Sequence, residues 1–133
     1  MNKKIFIILP HKDQFIKNYA GSASIWVKDF FQKSIYKKII TIFGSTKNTK
    51  NIFIRKNYIN IDIPSIKILS KSNLYIKKLL NYCKLLKPSI IEIHNRPSYL
   101  KYFSYFKKKI VFYFHNDPLT MNGSISIKER NFI

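Results

Sequence analysis

One cysteine, three glycines, three arginines and six carboxylates are all that this chain of 133 residues carries of those types. A lone Cys83 cannot form an internal disulfide or a multi-cysteine metal centre, and a reducing cytoplasm suits it. With three glycines there is no G-x-G-x-x-G fingerprint and no G-K-[ST] phosphate loop. The few acids, with Glu92 inside an apolar run and Asp29 and Asp62 placed far from the expected ligand edge, offer no glycosidase-like pair. No H-E-x-x-H occurs, so no metal is expected. Long apolar runs are missing too: IFIIL is cut by Pro10, His11, Lys12 and Asp13, short of a signal-peptide core, and no stretch approaches the ~18 apolar residues of a membrane span.

What is abundant is lysine, with asparagine, isoleucine, phenylalanine and tyrosine. The formal net charge is +19, which attracts anions of any kind: nucleic acid, acidic lipid or phosphorylated small molecules. The lysines recur along the whole chain, the pattern of a solvated surface and of A+T-rich codons. Hydrophobic residues make up 46% of the chain, enough for one domain spanning residues 1–133.

Apolar periodicity divides that domain. Residues 5–9 read as a strand buried on both faces. Gly21 follows in a loop with Ser22 and Ser24, either of which can cap a helix carrying Trp26, Val27, Phe30 and Phe31 on one face. A second strand at 38–43 stops at Gly44, and a β-loop-α-β unit of this kind implies a parallel sheet. Residues 46–64 stay open between minor strands and an irregular excursion. Helical spacing returns over 72–87, with Ser72 as cap and Pro88 as stop. SIIEIH reads as a strand, 98–106 as an aromatic helix, and IVFYF as the last strand. SIKERNFI opens another helix near the end, so the expected architecture is an incomplete α/β, Rossmann-like parallel sheet flanked by helices, either a truncated gene product or one half of a larger protein.

In open parallel sheets ligands bind beyond the carboxyl ends of the strands. Three expected strands end in polar residues there: Pro10-His11 with the Gly21 loop, His94-Asn95-Arg96, and His115-Asn116-Asp117. Residue types like these also close turns, and for His94 the structural reading is the favoured one.

On KIFIILP, YAGSASIWVKDF, IIEIHNRP and above all FHNDPLTMNGSISIKER, taken in that order along the chain, the sequence resembles the N-terminal half of family 4 glycosyltransferases of GT-B architecture, of the lipopolysaccharide and polysaccharide type. The resemblance implies an acceptor-side domain that transfers sugar from a nucleotide-sugar donor to a glycan or lipid-linked acceptor, beside a second, donor-binding domain. It implies no cofactor. It places His115 at the reacting centre, Gly21, Ser22, Asn116 and Asp117 on the donor, and Asn95 and Arg96 on the acceptor. Relatives often carry Gly-Gly where this chain has Ala20-Gly21. Without the donor-binding domain, the charges that develop during transfer lack stabilisers and the chain alone is expected to be nearly inactive. A cytoplasmic protein is expected, peripheral at the inner face of the membrane, where the lysines meet anionic lipid. The competing expectations are a basic nucleic-acid-binding module, against which the scarcity of arginine weighs, and a non-functional remnant.

Overall fold

The computed structural model describes residues 3–65 and 68–133. Five strands, β1 (Ile5–Ile8), β2 (Ile40–Gly44), β3 (Tyr58–Asn60), β4 (Ile90–His94) and β5 (Lys109–Tyr113), form one sheet in the order β3-β2-β1-β4-β5. All pairings are parallel. The helices are α1 (Ser22–Lys33), α2 (Lys71–Leu86), α3 (Leu100–Phe103) and α4 (Ile127–Phe132). The expected α/β, Rossmann-like architecture is therefore observed. Strand order reverses between β1 and β4, the switch point of doubly wound sheets.

Alternation along the strands sends successive side chains to opposite faces. Phe6, Ile8, Phe43, Ile91 and Ile93 pack with Tyr75, Ile76, Leu79 and Cys83 of α2 and with Leu100 and Phe103 of α3. The other face carries Ile7, Leu9, Ile40 and Ile42 under Ala23, Val27 and Phe31 of α1. Fully burying each such side chain favours folding by about 1.5–3 kcal/mol. Cys83 belongs to the first cluster, and burial pushes its thiol up to about 12, so it is core and not a nucleophile at neutral pH.

Several expected boundaries move for identifiable reasons. Neither Ser22 nor Ser24 caps α1: the N-cap is Gly21, which has no side chain to offer, and Asp13 supplies the carboxylate instead. The cap of α2 is Ser70, whose hydroxyl accepts from the Asn73 amide, two residues before the expected Ser72. Strand β2 starts at Ile40 because residues Lys37–Ile39 make a 3-10 turn. Within the unresolved stretch of the sequence reading, Tyr58–Asn60 becomes edge strand β3, and Ile52 makes only an isolated bridge to Ile16. Helix α4 has the expected start, a capping box in which the Ser126 amide and hydroxyl hold the Glu129 carboxyl below the usual carboxylate range.

Candidate functional site

The carboxyl ends of the strands bring the sequence-expected residues to one rim, in two groups. The first is the loop after β1. The Gly21 amide donates to Asp13 Oδ1 at 2.8 Å and the Ser24 amide to Asp13 Oδ2 at 3.2 Å. A carboxylate of the chain itself thus occupies the anion position at the start of α1. A Cβ at position 21 would stand 2.6 Å from Asp13 Oδ1, so glycine lets the carboxylate approach this closely while its backbone is ordinary extended chain. The amide expected to face a donor phosphate faces Asp13. Ser22, the first residue of α1, is exposed beside it.

The second group lies over β4 and β5. Asn95 adopts a left-handed conformation with φ of 54°, which asparagine tolerates better than most residues. It clips the two strand tips together: its amide donates to the Tyr113 carbonyl at 2.8 Å and its Oδ1 accepts from the His115 amide at 3.2 Å. Asn95, Arg96 and Asn116 line one polar cavity of about 260 Å³ with Thr120, Met121 and Asn122. Residues expected on the acceptor and on the donor therefore share a wall. Asp117 turns away into its own loop, where Oδ1 accepts from the Leu119 amide at 2.9 Å. Next to Asn122, Gly123 has a φ of +97°, and a Cβ there would stand 2.5 Å from the Ser98 amide nitrogen, so no side chain fits.

His115 is half-buried at the tip of β5 and is not alone. Its Nε2 lies 2.8 Å from His94 Nδ1, and His94 Nε2 lies 2.7 Å from Glu92 Oε1. His94 is fully buried and Glu92 nearly so. Trp26 of α1 covers the chain, its ring 5.3 Å from His94, 6.0 Å from His115 and 4.7 Å from Tyr113. Burial, then the neighbouring His94, lowers the pKa of His115, while Asp13 and Glu92 oppose that shift. Asp13 thus serves both groups, touching Gly21 and acting on His115 through its charge. His94 stands among the strand-end residues expected from the sequence, with a structural role favoured for it, whereas Glu92, Asp13 and Trp26 do not stand out there as site residues. The signal for Glu92 was present: in IIEIH an acid and a histidine stand two apart, hence on the same strand face.

At the switch point itself the crevice is bridged. His11 after β1 and Tyr99 after β4 meet, with the His11 amide 3.2 Å and Nδ1 2.7 Å from the Tyr99 hydroxyl. The hydroxyl oxygen accepts from the amide and shares a second hydrogen bond with the ring, whose direction depends on the tautomer. Burial first, then Arg96, Lys12 and Lys71, lowers the His11 pKa to about 4, so the ring is neutral at physiological pH. A wider cavity of about 730 Å³ opens over β1, β2 and β3, lined among others by His11, Lys12, Lys47, Lys71, Asn60 and Asp62. Asp62 is therefore at the ligand edge, contrary to the sequence reading, because β3 runs parallel to its neighbours and delivers its following residue to the same rim. Among the described residues no cluster of three His, Cys, Asp or Glu side chains could hold a metal ion, and no helix is long and apolar enough to cross a membrane. No family model, no curated protein and no solved structure matches the chain.

Proposed function

We propose that this chain is the acceptor-side domain of a glycosyltransferase that moves a sugar from a nucleotide-sugar donor to a glycan or lipid-linked acceptor in cell-envelope polysaccharide synthesis. The observation that carries the reading is His115 at the carboxyl rim of β5, its ring backed by His94 and its amide held by Asn95. The motif order that resembles family 4 glycosyltransferases supports it, as does the polar cavity of Asn95, Arg96 and Asn116 next to that ring. On this reading the chain forms one wall of a cleft. A second, donor-binding unit supplies the groups that hold the nucleotide and the leaving diphosphate, whose negative charge needs stabilisation for transfer to proceed. Asp13 already occupies the first-turn amides of α1, so the diphosphate is left chiefly to that second unit and the sugar to His115. The many lysines would hold the domain at an anionic leaflet where lipid-linked acceptors lie.

The test is direct observation of His115. UDP-, GDP- and ADP-linked hexoses are titrated into the protein while the His115 Cε1–H resonance is followed, with the free nucleotides as controls. The expected result is a saturable shift with at least one sugar nucleotide and a smaller one with its bare nucleotide. No response from any sugar nucleotide, or equal response to the bare nucleotides, overturns the reading. For the membrane, sedimentation with acidic vesicles but not with neutral ones at moderate salt is expected; equal sedimentation with both removes that part.

A further inference from the structure

On the α1 face of the sheet, β4 places two ionisable side chains: Glu92, level with Ile7 of β1 and Ile42 of β2, and His94 two residues further along the same face. Ionisable groups are buried at a cost unless they are paired and hydrogen-bonded, and here each ring nitrogen of His94 has a partner: Glu92 on one side, His115 on the other. The hydrogen count fixes the direction of the chain. A carboxylate only accepts, so the Nε2 hydrogen belongs to His94. In neutral His94 the Nδ1 atom is then bare, and the 2.8 Å contact must be filled by the Nε2 hydrogen of His115. That leaves Nδ1 of His115 bare. The two nitrogens of an imidazole diverge, so with Nε2 turned inward to a fully buried ring, Nδ1 faces outward to the rim.

We propose that Glu92 and His94 form a buried proton store behind His115, which lets His115 accept, through Nδ1, the proton of a hydroxyl group on a molecule bound at the rim. The O–H bond breaks and its electron pair stays on the oxygen. A new bond forms at Nδ1, the Nε2 proton of His115 passes to Nδ1 of His94, and the resulting imidazolium lies against the Glu92 carboxylate. Resetting releases one proton from His115 to water and returns one from His94 to His115. Glu92 and His94 are positioning residues in this scheme, and they touch the ligand only through His115. Assigning the hydroxyl to a sugar acceptor rests on the glycosyltransferase reading; the proton store itself does not.

The groups that face His115 are His94, Glu92 and Asn95 from β4 and its tip, Trp26 from α1, and Asp13 from the loop after β1, while Tyr113 of β5 stacks on His94. Two imidazoles 2.8 Å apart cannot both be charged easily, so the pair takes up one proton as a unit. The test uses the whole chain with labelled histidine. The Cε1–H resonances of His94 and His115 are followed from about pH 4 to 8, beside the fluorescence of Trp26, the only tryptophan, which an adjacent imidazolium quenches. Expected are one shared midpoint for both rings, quenching at that same midpoint, and in Glu92→Gln about a tenfold loss of proton affinity. A His94 signal that stays still while His115 titrates alone overturns the proposal, as does an unmoved midpoint in a folded Glu92→Gln. Should that variant not fold, the wild-type titration decides. A shared midpoint without any sugar-nucleotide response would sink the glycosyltransferase reading and keep the store; independent titration with such a response would do the reverse.

Discussion

On β4, Ile91 and Ile93 look toward α2 and α3, while Glu92 and His94, one residue out of step, look toward α1. The first face is sealed by two helices and is packed with apolar side chains such as Leu79 and Phe103, and the enclosed hydroxyl of Tyr75 donates to the Leu9 carbonyl at 2.8 Å. The second is apolar over β1 and β2 under α1 but turns polar over β4 and β5, where Trp26 lies across His94 and Tyr113. The difference separates two physical tasks. Dispersion and burial stabilise one face, and a hydrogen-bonded chain organises the rim on the other. A charge chain of this kind contributes little net stability, because desolvation offsets the pairing.

Substitutions that act on one face at a time sharpen this contrast. The largest effect is expected from Phe6→Ala, which removes a fully buried ring packed 4.7 Å from Phe43: a loss of about 3–5 kcal/mol in urea unfolding. On the polar face, His94→Leu alone strands Glu92 without its partner and should cost about 3 kcal/mol, whereas Glu92→Leu with His94→Leu should come within about 1 kcal/mol of wild type. If the double variant is as unstable as the single one, the polar chain is a stability element after all and the contrast between the faces fails.

Gly21→Ala comes next, with a loss of about 1–2 kcal/mol, because the new methyl displaces Asp13 from the amides of Gly21 and Ser24. In an Asp13→Ala background the same change should cost much less, since no carboxylate remains to be displaced. Additive costs would show that the close approach is not what requires glycine there.

These residues also mark where the sequence was legible. The Ile-rich runs of β1 and β4 and the apolar spacing of Ile76, Leu79 and Cys83 in α2 declare themselves because each satisfies one period over several residues. Strand β3 does not: it is three residues long, and Asn60 spends its side chain on the Thr46 amide. The capping of α1 could not be read locally, because its carboxylate comes from Asp13, eight residues before Gly21. His115, Asn95 and Gly21 were visible as polar strand ends, but Glu92 was hidden in an apolar run, and its meaning depends on a partner two residues on and a second one 21 residues further along. Tertiary pairing, not composition, turns the histidine at the tip of β5 into part of a connected system.

The smallest effect concerns pH. His11 is lowered from 6.5 to about 4 mainly by burial, so the folded protein holds the neutral ring while the unfolded chain protonates it. As pH falls from 6.5 toward 4 the unfolded state binds more protons, and stability must decline across that window. The full shift corresponds to about 3 kcal/mol, and a ring half open to solvent retains about 1 kcal/mol of it. His11→Asn keeps an acceptor near the Tyr99 hydroxyl but cannot titrate, so its unfolding free energy should fall less steeply than that of wild type over this window. His115, also lowered by burial, contributes a slope of the same sign, and it remains in His11→Asn. Urea titrations at pH 4.5, 5.5 and 6.5 (about one unit apart, within the range where histidine responds) separate the two. Parallel acid slopes in wild type and His11→Asn would mean that burial at the switch point does not hold the ring neutral in the folded protein.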